Sequence, residues 1–171
     1  MIDINFCIYI VDNNLIELNE QDIKSDFKRY SSFFHDAETI DGAILIKSPD
    51  KNEVIIQDEL WVIVQNFCFT STLNLLRAQK ECFIYHYFSS YGQIILIPSA
   101  EFIRIMGDAV PIESFTASEL LPALYHCGER VINLLRKLQQ AGCVNIDVNV
   151  EYLEALAKET LEVLQANNML S

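Results

Sequence analysis

Leu60-Trp61-Val62-Ile63-Val64-Gln65-Asn66-Phe67-Cys68-Phe69-Thr70-Ser71-Thr72-Leu73-Asn74-Leu75-Leu76 is the longest run in the chain free of Asp, Glu, Lys, Arg and His, and its reading decides the fold. Leu60, Val64, Phe67, Cys68, Ser71 and Leu75 fall on one helical face, and Trp61 and Leu76 widen that face. Such a segment reads as a central buried helix from Glu59 to about Gln79, with Asp58 as its N-cap. The run is too short for a membrane span and carries Gln65, Asn66, Thr70, Ser71, Thr72 and Asn74. The aromatic and β-branched residues Trp61–Val64 also allow a strand there.

Upstream, Ile2, Ile4, Phe6, Ile8 and Ile10 alternate with Asp3, Asn5, Cys7 and Tyr9, the period of a strand with one buried face. Asp12-Asn13-Asn14 is turn chemistry, and Leu15-Ile16-Glu17-Leu18 returns as a second strand. Asn19 can cap a helix with Glu20 and Asp22 in its first turn, and Ile23, Phe27, Tyr30 and Phe34 form its stripe. Residues 42–47 and Val54-Ile55-Ile56 make a hairpin around Pro49-Asp50-Lys51-Asn52.

Downstream, 81–90, 93–97 and 101–106 read as a three-strand meander ended by Gly107-Asp108 and Pro111. Thr116-Ala117-Ser118-Glu119 fits a capping box, with the helix starting at Ser118 so that Pro122 is tolerated. Leu120, Leu124, Cys127, Val131, Leu134 and Leu138 carry that helix to Gly142. In a last helix, near 149–166, Leu153, Leu156, Thr160 and Leu164 face inward and Glu154, Lys158 and Glu162 form an exposed ladder. The expectation is one α+β domain over residues 1–171, a mostly antiparallel sheet of five or six strands covered by about four helices.

The 171 residues are 51% apolar and 21% charged, a composition that folds. With 24 acidic and 12 basic residues the net charge is -12, which excludes a general nucleic-acid binder and leaves a basic protein as the natural partner. The start of the chain has no basic region ahead of an apolar stretch, so a cytosolic protein is expected. Cys7, Cys68, Cys82, Cys127 and Cys143 are widely spaced and read as small apolar residues. His35, His86 and His126 have no metal-ligand spacing, and the five glycines form no phosphate loop. No catalytic residue, cofactor or metal is expected, and no enzyme.

Two features suggest a binding surface. Tyr85-His86-Tyr87-Phe88-Ser89-Ser90-Tyr91 places Tyr85 and Tyr87 on one strand face, followed by Tyr91, and tyrosine is favoured at interfaces. Residues 1–58 hold 12 acidic and 5 basic residues, and 30–46 contain Asp36, Glu38 and Asp41 with no basic residue. A single-sign patch steers an oppositely charged partner. Asp36, Glu38, Asp41, Tyr85, Tyr87 and Tyr91 are therefore the candidate contact residues. The alternative is a small-molecule or regulatory domain with an apolar pocket rimmed by His86, Cys82 or Cys127.

The stretch from Asp58 to Phe69, Tyr87-Phe88-Ser89-Ser90-Tyr91-Gly92, Arg104-Ile105-Met106-Gly107-Asp108 and Glu119-Leu120-Leu121-Pro122-Ala123-Leu124-Tyr125-His126-Cys127-Gly128 share a texture. Over roughly residues 58–138 it resembles small acidic immunity proteins encoded beside bacterial polymorphic or contact-dependent inhibition toxins. The resemblance implies a cytosolic protein that neutralises a cognate toxin domain, often a basic nuclease, by covering its active site. It implies no residue-level binding map.

Overall fold

The computed structural model describes residues 2–12, 14–143 and 148–171. It has two four-stranded antiparallel sheets, in strand orders β2-β1-β3-β4 and β5-β6-β7-β8, with five helices. The fold class is α+β as the periodicities predict, but the strands number eight and divide between two sheets.

The first sheet is β1 (Asp3–Asp12), β2 (Asn14–Asn19), β3 (Asp41–Lys47) and β4 (Val54–Glu59). Of the predicted first turn, Asn13 lies outside the described residues. Ile4, Phe6, Ile8 and Ile10 are buried as the alternation predicts, whereas Ile2 is half-buried and Cys7, expected on the opposite face, is buried as well. Asn19 caps α1 (Glu20–Ser25): its Oδ1 accepts from the Gln21 and Asp22 amides at 2.9 and 3.0 Å, and Asp22 accepts from the Asn19 amide at 3.1 Å. The expected single helix breaks at Asp26, which leaves the helical region and caps α2 (Phe27–Ser31), so Ile23 and Phe34 reach the core while Phe27 and Tyr30 are half-buried.

The second sheet is β5 (Phe83–His86), β6 (Gln93–Ser99), β7 (Phe102–Gly107) and β8 (Val110–Thr116). Gly107 and Pro111 do not end the sheet. Gly107 sits at an irregularity in the β7–β8 register, and β8 is an edge strand, where proline removes no central ladder bond. A Cβ at Gly107 would lie 2.2 Å from the Gln93 carbonyl oxygen, so the backbone approach there requires glycine.

The uncharged run is the central helical segment. Leu60, Val64, Phe67, Cys68, Ser71 and Leu75 are all buried, as are Val62, Ile63, Phe69 and Thr72. Only α3 (Leu60–Ile63) begins with ordinary turns; Val64–Thr70 and Leu73–Arg77 are wider π-helical turns. Their polar residues satisfy backbone carbonyls from within: Asn66 Nδ2 donates to Val62 O at 3.0 Å, Thr70 Oγ1 to Gln65 O at 2.8 Å and Ser71 Oγ to Phe67 O at 2.6 Å. These side chains therefore suit a buried helix whose i→i+4 ladder is disturbed.

The segment packs against α4 (Ala117–Gln140) and α5 (Val150–Ala166). Gly128 of α4 lets the two approach, since a Cβ there would lie 2.6 Å from Phe69 Cζ. Helix α4 starts one residue earlier than expected, and Thr116 Oγ1 donates to Glu119 Oε2 at 2.8 Å instead of forming a capping box. Pro122 lies in its second turn. The helix ends at Gly142 (φ 94°), where the Gly142 and Cys143 amides return to Gln139 O and Leu138 O, each at 3.0 Å. On α5, Glu154 bonds Arg136 of α4 at 2.6 Å, so it serves between helices and not in the ladder expected along α5.

Candidate docking surface

Residues directly opposite in an antiparallel ladder share a face, so the registers define the outer face of the first sheet. Asp3 stands opposite Lys47, Asn5 opposite Leu45, Leu45 opposite Ile55, Tyr9 opposite Glu17 and Asp41 opposite Glu59. Leu15 and Ile55, 66% and 44% exposed, mark this face as open to solvent. A groove of about 660 Å3 crosses it, lined by Asn5, Tyr9, Glu17, Leu45, Lys47 and Ile55 among others. Asp3, Glu17, Asp41, Glu53 and Glu59 make the face acidic. Its two lysines are neutralised locally, Lys47 by Glu53 at 3.0 Å and Lys24 at the α1 rim by Glu20 at 2.6 Å.

Ile55 also lines a second cleft, of about 420 Å3, with Gln57, Tyr87, Ser89, Ser90, Tyr91, Asp108 and Ala109. This joins the acidic face to the turn between β5 and β6. Tyr91 is fully exposed and Phe88 is 66% exposed, two large apolar surfaces offered by one short turn.

Asp58 holds that turn in place. It is 2% exposed at the end of β4 and does not cap the helix; Glu59 occupies the cap position. Its Oδ2 accepts from the Tyr85 hydroxyl at 2.5 Å and the Phe88 amide at 2.6 Å. Its Oδ1 accepts from the Ser89 and Glu59 amides, both at 2.9 Å. Burial alone pushes the Asp58 carboxyl up, but hydrogen bonds from Ser89, Tyr85 and Phe88 together outweigh it and hold the pKa below its ordinary value. Burial and the Asp58 hydrogen bond push the Tyr85 phenol far above its ordinary value. One carboxylate thus ties the first sheet to the second and presets the Phe88–Tyr91 turn.

The candidate contacts divide accordingly. Tyr87 and Tyr91 meet in the turn cleft, and Asp41 lies opposite Glu59, the neighbour of Asp58. Tyr85 must be corrected: the tyrosine face of β5 points inward, and at 2% exposure it is an internal strut that no partner reaches in this conformation. Asp36 and Glu38 are exposed on the connection before β3 and do not line the groove. Sequence reasoning missed Asp58, Glu17, Ile55 and Phe88. Only pairing across strands collects them, although the alternation of Val54-Ile55-Ile56 already marks Ile55 as outward.

His35, His86 and His126 stand on separate parts of the chain: His35 is on the connection before β3, His86 is exposed on β5 and His126 lies 3.1 Å from Glu129 on α4. Cys82 is exposed and Cys127 buried, and the clefts described are lined by other residues. Among the described residues no three His, Cys, Asp or Glu side chains group as a metal ion requires. No helix among them is long and apolar enough to cross a membrane. Comparison with protein-family models, curated proteins and solved structures gives no match.

Proposed function

We propose that the chain is an immunity-type binding protein that neutralises a basic toxin domain by covering it, without catalysis, in the cytosol. The observation that carries this reading is the continuity of the acidic outer sheet face with the preset turn bearing Phe88 and Tyr91. Carboxylates orient and accelerate the approach of a cationic partner, and buried aromatic anchors supply most of the affinity. A turn already fixed by Asp58 loses little further entropy on docking, which favours tight association. The texture shared with immunity proteins over residues 58–138 agrees with this use.

The test is co-expression with the C-terminal domain encoded by the neighbouring reading frame. That domain alone should arrest growth, and this chain should restore growth and elute with it as one complex. A toxic domain that is neither bound nor neutralised would contradict the proposal.

A further inference from the structure

A third cleft, of about 430 Å3, opens between α1, α2 and α4, and its charge is opposite to that of the chain. Phe6, Ile23 and Leu134 are buried beneath it and Phe27 forms a half-buried wall. Lys24, Arg130 and Lys137 stand at the rim, with Glu20 as the one carboxylate in the lining. Glu20 serves two cations, with Lys24 Nζ at 2.6 Å and Arg130 Nε at 2.9 Å. Arg130 Nη2 donates to the Ile4 carbonyl at 2.6 Å, which fixes the guanidinium, while its buried Nε has no hydrogen-bond partner of proper angle. The rim therefore carries two positive charges beyond what Glu20 neutralises, in a chain of net charge -12.

Pockets of this size with an apolar floor and a few convergent polar groups accept small ligands, and a local excess of cations on an acidic protein selects anions. We infer that this cleft binds a small anionic amphiphile, a carboxylate or similar headgroup on a short apolar chain. The headgroup sits between Lys24, Arg130 and Lys137, and the chain lies over Phe6, Ile23 and Leu134. Helix α1 lies between this cleft and the acidic face, and Phe6, Glu20 and Lys24 line both grooves. The inference stands whether or not the protein neutralises a toxin.

Octanoate, octanol and inorganic phosphate separate the contributions, read by NMR from the methyl groups of Ile23 and Leu134. Octanoate should shift them saturably and bind at least fivefold more tightly than octanol, while phosphate leaves them unmoved. The exposed double variant K24E/K137E should weaken octanoate at least fivefold and leave octanol unchanged, and Asn133→Trp should crowd the cleft and weaken both. Absent shifts, equal binding of octanol, equal shifts with phosphate, or undiminished octanoate binding by K24E/K137E would each overturn the inference.

Discussion

Removing the Asp58 side chain strands the groups it serves, and the cost can be worked out donor by donor. In Asp58→Ala the Tyr85 hydroxyl is left inside with no acceptor, a loss of about 1–3 kcal/mol. The Phe88 and Ser89 amides belong to an exposed turn and recover water, so they add less. The total should be about 2–4 kcal/mol, one stranded buried donor plus smaller losses at the amides that recover water. Asp58→Asn should cost less, about 1–3 kcal/mol. Its Oδ1 keeps the Ser89 and Glu59 amides and its Nδ2 can donate to Tyr85, but that nitrogen opposes the Phe88 amide.

Tyr85→Phe alone should cost about 1.5–3 kcal/mol, because it takes one bond from a buried carboxylate. In the Asp58→Ala background the same change removes a stranded hydroxyl and should be neutral or stabilising. Urea unfolding followed by the single tryptophan, Trp61, gives all four corners of this cycle. A coupling of about 2 kcal/mol is expected. Penalties that simply add, to within about 0.5 kcal/mol, would refute the role assigned to the pair.

Asp58 has a pKa below its unfolded value, so its stabilisation is complete above the ordinary carboxylate pKa and is lost progressively as pH falls from there through the lowered folded pKa. Urea midpoints for the parent and Asp58→Asn should therefore begin to converge below about pH 4 and meet only once pH is below the lowered folded pKa. Tyr85, Tyr9 and Tyr125 are raised, chiefly by burial, so stability should fall as pH rises above about 10, and Tyr85→Phe should lessen that fall. Gly107→Ala places a methyl against the β6 backbone and should lower stability by at least about 1–3 kcal/mol, a loss that thermal unfolding would register. Tyr91→Ser removes a fully exposed ring and should leave the melting temperature within about 2 °C of the parent.

Much of the fold is legible because burial acts locally on periodic segments. The strand alternation from Ile2, the Asn19–Asp22 cap, the stop at Gly142 and the buried central run all follow from residues close in sequence. The misreadings have long-range causes. Gly107-Asp108 and Pro111 look like an ending, but Gly107 is needed where two backbones meet and Pro111 is on an edge strand. Asp58 has the sequence position of a helix cap, yet donors from residues 85–89 turn it inward. For Tyr85 the alternation defines a face, and which face is buried depends on helices packed from elsewhere in the chain. The acidic surface is read only in part, since Asp3, Glu17, Asp41 and Glu59 come to share one sheet face through strand pairing, with Asp41 beside Glu59 and Asp3 at the far end beside Lys47.

The central claim is that the acidic sheet face and the Phe88–Tyr91 turn dock a basic partner. Its most direct test is the binding kinetics of the neighbouring frame's toxin domain with the parent, with Glu17→Lys/Asp41→Lys and with Tyr91→Ala. The charge reversals should slow association, more at low salt than at high, and Tyr91→Ala should speed dissociation by about tenfold or more. Unchanged rates in both variants, with the complex still forming, would place the partner on another surface and contradict the account.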